Sequence, residues 1–246
     1  MKNIDTLYGY HAVHTVLQTR AKDVLELFLQ ANRKDDRMNK IIALANQSTV
    51  KYQFVDKMTL EKYATGKNHQ GFVAKAHPLK PWDEHDLLNF VEATTERCIF
   101  LVLDGVQDPH NLGACLRSAN AFGVAAVIIP KDRAAQLTDV ARKVASGAAE
   151  STPLVCVTNL NRTLQALKKT GVWLVGLNSE AEQSIHEIDV RGNIAIVMGA
   201  EEEGLRRLTR DTCDYLAKIP MRGSVESLNV SVAAGISLYA VTNLHV

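Results

Sequence analysis

The protein is a chain of 246 residues, 46% of them hydrophobic, with 28 Lys and Arg against 27 Asp and Glu. That length suits one large domain or two modest ones with a sizeable core. Average charge and aromatic content exclude a disordered or fibrous chain. Apolar stretches such as residues 99–103 and 124–129 are too short to cross a bilayer, and the N-terminus shows no apolar signal core. Cysteines 98, 115, 156 and 213 form no C-x-x-C pair and read as buried free thiols of a reducing compartment. The expectation is a cytoplasmic protein with no membrane partner.

The net charge of +1 hides an asymmetry. Residues 1–77 carry 12 Lys and Arg against 7 Asp and Glu; residues 78–246 carry 16 against 20. A basic front piece on an acidic body has the form of a polyanion-handling module attached to something else, although five excess charges also arise by chance.

In chain order, the front piece alternates a helix near 10–18, a strand at 24–29, a helix at 38–45, a strand at 50–55, a helix at 59–63 and a strand at 71–76. This predicts a small α/β sandwich. Residues 78–88, with Pro78 and Pro81 at their head, read as a linker. Beyond them, near-continuous apolar strands are expected at 98–103, 126–129, 154–157, 173–177 and 194–198, as in parallel sheets buried on both faces. Helices are expected at 112–122, 138–148, 161–169, 205–216 and 230–244. The fold class is therefore α/β, with an open parallel sheet whose ligand belongs beyond the carboxyl ends of its strands.

The familiar α/β fingerprints are missing. The chain has no G-x-G-x-x-G after a first strand, no P-loop, no G-x-S-x-G and no metal-spaced Cys/His cluster. Three segments, read as ends of strands of one sheet, stand out instead. The first is DGVQDPHNLGACLRSANAFG at 104–123. Here Leu112, Cys115, Leu116 and Ala119 make a buried helical stripe, and Asn111 reads as an N-cap. Gly113, one turn before Arg117, leaves room for a bulky anion beside the guanidinium; a surface arginine fits the pattern equally well. The second is VMGAEEEGLRR at 197–207. Gly199 permits close backbone approach to a ligand, and the glutamates also suit a helix entrance. The third is IPMRGSVESLNVSVAAGI at 219–236. Ser227 and Asn229 precede an apolar helix whose small residues Ala233, Ala234 and Gly235 point first to tight packing.

Together these segments resemble, in order and spacing, the three signature motifs of the SpoU (TrmH-like) branch of the SPOUT RNA methyltransferases. YGYHAV at 8–13 and HQGFVA at 69–74 resemble its members that act on a guanosine 2′-hydroxyl of bacterial large-subunit rRNA. The resemblance implies a catalytic domain at 89–246 with a deep C-terminal trefoil knot. It also implies an RNA substrate-binding domain at 1–77, similar to small ribosomal-protein-like domains, and a homodimer with the active site at the subunit interface. S-adenosyl-L-methionine is the implied cofactor, held near Gly199, Ile219 and Leu228, with no metal. Asn111, Arg117, Glu201, Ser227 and Asn229 are the implied catalytic residues, and large-subunit ribosomal RNA is the implied partner. Two roles stay open for Arg117. It is the family's favoured base, yet a guanidinium stays protonated up to a pKa of about 12; alternatively it clamps the phosphate beside the target ribose. A tRNA methyltransferase of the same branch, a non-catalytic ribosome-assembly factor and a small-molecule α/β enzyme are the competing readings.

Overall fold

In a computed structural model of the chain, residues 4–201 and 203–243 are described. Glu202 of the second motif, Leu244 at the end of the last expected helix and residues 1–3 of the N-terminus lie outside them. The chain divides into two units, one comprising residues up to 80 together with 146–151, the other residues 81–145 and 152 onward.

In the first unit the elements are β1 (Asp5–Tyr8), α1 (Tyr10–Thr19), β2 (Val24–Gln30), α2 (Asp36–Gln47), β3 (Tyr52–Val55), α3 (Lys57–Tyr63) and β4 (Phe72–Ala76). The strands form one sheet in the order β1-β4-β2-β3. It is mixed: β4 runs antiparallel to both neighbours and β2 pairs parallel with β3. Alternation along β2 sends Leu27 and Leu29 into a core with Val13, Val16, Met38 and Ile41 of α1 and α2, while Phe28 packs with Leu60 and Ala64 on the α3 side. Asp35 starts α2 by accepting a hydrogen bond from the Met38 amide at 2.9 Å. The buried Arg20 guanidinium is held by the Glu150 carboxylate and donates to the His77 carbonyl at 2.8 Å.

The second unit begins with α4 (Glu84–Ala93) and β5 (Ile99–Leu103), then α5 (Pro109–Ala121), β6 (Ala126–Pro130), α6 (Asp139–Ala145), β7 (Leu154–Val157), α7 (Leu160–Lys169) and β8 (Trp173–Leu177). The short β9 (Gln183–Ser184), β10 (Ile194–Met198), α8 (Arg207–Thr212), β11 (Tyr215–Lys218) and α9 (Val230–Asn243) complete it. Its seven strands lie in the order β7-β6-β5-β10-β8-β11-β9, all paired in parallel. On one face Phe100, Val102, Ala195 and Val197 pack against Leu87 and Val91 of α4 and Leu160, Leu164 and Leu167 of α7. The alternate residues, Leu101, Leu103 and Ile196, are equally buried; α5 contacts α6 and α9, and α9 reaches β10. The chain adds strands outward from β5 to β7, then returns to the other side of β5. The reversal between β5 and β10 is where an open α/β sheet leaves a crevice.

Three expectations need correction. Residues 84–88, read as linker, are helical, because Asp83 and Asp86 close a capping box at the start of α4. The helix expected at 205–216 is only six residues long, since 215–218 continues as a strand paired with β8. That strand gives the third motif its place at a strand end. The helix expected at 138–148 stops at Ala145, and Gly147, at φ 93°, leads into a short 3-10 turn.

Candidate active site

The carboxyl ends of β5, β10 and β11 deliver the three motifs to one place. The Asp104 amide donates to the Met198 carbonyl at 2.7 Å, locking the ends of β5 and β10 together. The chain then makes a tight reversal in which Ala200 and Gly204 exchange backbone hydrogen bonds at 3.1 and 3.0 Å. Gly199 is required by this reversal, because a Cβ there would overlap the backbone of Gly204 and Leu205. On the side where a Cβ would point, the chain itself fills the space. Gly204, at φ 63°, closes the turn and leaves Glu201 at its tip.

Glu201 is the hub. Its Oε1 accepts hydrogen bonds from Asn111 Nδ2 at 2.7 Å and Asn229 Nδ2 at 2.9 Å. Asn229 Nδ2 also lies 3.0 Å from Asn111 Oδ1, so one residue from each motif joins a single cluster. Asn111 is not the N-cap of α5: Asp108 caps it, accepting from the His110 amide at 2.9 Å, and Pro109 occupies the first turn. Freed from capping, Asn111 is 8% exposed and aims its carboxamide at Glu201. Asn229 does precede a helix, and its Oδ1 accepts from the Ser231 amide at 2.9 Å and hydroxyl at 2.6 Å. One face of its carboxamide thus starts α9 while the other holds Glu201.

Beside this cluster lies a cavity of about 630 Å³. Gly199, Ile219 and Leu228, the three residues expected to hold a cofactor, all line it, as do Glu201 and Ser227. Its walls are apolar at Leu177, Met198 and Ile219 and acidic at Glu201 and Glu226. Cys115, buried under the cluster, has its thiol pushed up to about 12, first by desolvation and then by the Glu201 charge. Two predicted residues are not drawn into the hydrogen-bonded cluster. Ser227 is exposed on the cavity wall, and Arg117 is exposed on α5 with no hydrogen bond or ion pair to the described residues. The room expected beside Arg117 is absent at Gly113, where a Cβ would lie 2.5 Å from the Ala141 carbonyl oxygen and 2.8 Å from Val144. That glycine serves the packing of α5 on α6.

Sequence reasoning missed Asp104. It is 1% exposed, accepts from the Thr209 hydroxyl at 2.7 Å and stands 3.3 Å from Arg206. The signal was there: an acid directly after five apolar strand residues, which burial tolerates only with partners.

This geometry can be set beside known proteins. The sequence pattern of the SpoU rRNA Methylase family matches residues 98–239, which span all three motif loops and the cavity between them. The chain belongs to the SpoU rRNA methylase family. A second pattern, RNA 2′-O ribose methyltransferase substrate binding, matches residues 6–82. Among relatives of this SpoU methylase, the 23S rRNA (guanosine-2′-O-)-methyltransferase RlmB of Coxiella burnetii is 53% identical over 241 residues, covering 98% of this chain and 96% of that protein. The RlmB of Photobacterium profundum is 53% identical over 235 residues, covering 96% of each. Of solved structures, the SpoU methyltransferase AviRb from Streptomyces viridochromogenes, in complex with the cofactor AdoMet, superposes with a TM-score of 0.75. It is 20% identical, over 97% of this chain and 89% of that one, and shares the fold.

Among the described residues, no group of His, Cys, Asp or Glu could hold a metal ion. No helix among them is long and apolar enough to cross a membrane.

Proposed function

We propose that the protein transfers a methyl group from S-adenosyl-L-methionine to the ribose 2′-hydroxyl of a guanosine in 23S rRNA. The observation that carries this is the Asn111–Glu201–Asn229 cluster at the rim of the cavity, in a chain 53% identical to two RlmB proteins.

The cavity suits the cofactor. Its volume falls within the roughly 300–1,000 Å³ of small-molecule sites. Its aliphatic walls offer faces for a purine ring, and its carboxylates offer charge to a sulfonium and an ammonium. Gly199, Ile219 and Leu228 would hold it. When bound, it supplies an electrophilic methyl group.

The chain's own residues prepare the acceptor. Glu201 fixes the carboxamides of Asn111 and Asn229 so that their remaining hydrogen-bonding capacity orients the ribose, and Ser227 completes the set. Orientation of this kind is worth about 7–11 kcal/mol in favourable cases. Arg117 keeps all its N–H donors for substrate, which favours the role of phosphate clamp over that of base.

The first unit, with its basic excess and its match to a substrate-binding pattern, captures the RNA. The protein is cytoplasmic and needs no metal. It works as a homodimer: Val232 is 50% and Tyr239 59% exposed on α9, beside a groove lined by Phe122 and Gly235. A second copy covers this apolar face. The segment from β11 through α9 forms the trefoil knot, a topology consistent with the return of β8, β10 and β11 to one side of β5.

Incubation of 23S rRNA with methyl-labelled cofactor tests the proposal. Label recovered as 2′-O-methylguanosine supports it; an RNA-binding factor would transfer none.

A further inference from the structure

We infer that a second cavity, bounded by Arg133, Arg206 and Arg207, binds the phosphodiester backbone of the RNA next to the target nucleotide. This rests on the RNA-methylating reading above. The cavity, of about 430 Å³, opens beyond the ends of β6 and β7. Arg133 comes from the loop after β6, Arg206 and Arg207 from the start of α8, and Thr158 and Asn159 from the entrance to α7. Three arginines line it from two separate loops, and none hydrogen-bonds to the cluster around Glu201.

The acidic groups that face it leave this donor set intact. Asp104 is buried and already engaged by Thr209 and Arg206. The Arg206 contact is an ion pair at 3.3 Å to an exposed side chain and leaves most of its N–H groups for another acceptor. Arg207 meets Asp211 only at 3.7 Å, with side chains 87% and 54% exposed, an ion pair that water screens. Arg133 has no hydrogen bond or ion pair to the described residues and sits at φ 55°, a left-handed conformation disfavoured for a side-chain-bearing residue. Among the described residues, Asp132 is the other carboxylate on the wall.

Location selects the ligand. Asp104 and Arg206 also line a third cavity of about 330 Å³ that contains Asn111 and Glu201. The arginine cavity and the acceptor site are therefore neighbours across the Asp104–Arg206 pair. A polynucleotide whose ribose lies at Asn111 and Glu201 carries a phosphate on each side of it. Guanidinium forks match phosphate oxygens in charge and geometry. The acceptor cavity sets four carboxylates, Asp104, Asp108, Glu201 and Glu203, against Arg206 alone; with Arg117 on the phosphate at one side of the ribose, the arginine cavity receives the phosphate at the other.

The test is the salt dependence of RNA binding by the full-length protein. Each phosphate contact to single-stranded RNA contributes about 0.7 to the slope of log affinity against log salt. The double variant Arg133→Ala/Arg207→Ala should flatten the slope for a 23S rRNA transcript by about 1.4 and weaken binding roughly ten-fold near physiological salt. Its affinity for S-adenosylmethionine should be unchanged, and Arg133→Lys/Arg207→Lys should retain most of the slope. An unchanged slope and affinity in the alanine variant overturns the inference. So does a loss shared by cofactor binding, which marks structural damage. Should the wild type transfer no methyl group to 23S rRNA, the functional reading fails separately, while the slope still decides the phosphate contact.

Discussion

Replacing Glu201 by Gln keeps shape and one acceptor oxygen but removes the charge that the two asparagines grip. In the native cluster Oε1 accepts at 2.7 and 2.9 Å, lengths typical of charge-assisted bonds. A hydrogen bond to a charged group contributes about 1.5–3 kcal/mol and a neutral one about 0.5–1.5. Each of the two bonds therefore loses about 1 kcal/mol, and the exposure of Glu201 keeps the total near 1–2 kcal/mol. Because the bonds position the acceptor, that loss should appear in turnover as a drop of about 5- to 30-fold in kcat/KM. Glu201→Ala should do worse, since it leaves two carboxamides without their shared acceptor. The assay is methyl transfer to 23S rRNA under single-turnover conditions, with thermal unfolding as control. A Gln variant within two-fold of wild type, at unchanged stability, would refute the view that Glu201 organises the site.

Other residues give independent checks. Arg117→Ala should nearly abolish methylation while leaving cofactor affinity intact, and Arg117→Lys, which keeps charge but loses the fork, should recover only part of the rate; normal turnover in the alanine variant removes the clamp. Cys115 supplies a pH prediction. Its thiol is held protonated up to about 12, whereas the unfolded chain ionises it near 8.5. Above that value the folded state holds the extra proton, so this group makes stability fall with rising pH, by about 1.4 kcal/mol per unit. Denaturant melts of Cys115→Ala should show a shallower alkaline decline; an identical decline would mean that the thiol does not carry it.

Most of the second unit was legible in the sequence because its strands are buried on both faces and read as unbroken apolar runs. Tyr215–Lys218 escaped because the strand is four residues long and only half-buried except at Ala217, so no apolar run announced it. The helix at Glu84 was hidden behind prolines that end just before its capping box.

Gly113 shows the limit of reading a glycine: the sequence leaves room for an anion beside it, and the backbone of Ala141 fills that space. From the residues alone, Asn111 reads as a cap. Pro109 moves the helix start back to Asp108, and only then does the asparagine reach Glu201. What the motifs could not convey is that Glu201, the middle residue of the three in sequence, is the acceptor both others share.

The measurement that tests the account most directly is a map of 2′-O-methyl groups along 23S rRNA from cells with and without this protein. The account predicts that one guanosine loses its methyl group in the absence of the protein and regains it when the purified wild-type chain and S-adenosylmethionine are added to the unmodified RNA. An identical map in both cells, or restoration by the Arg117→Ala variant at wild-type rate, would contradict it.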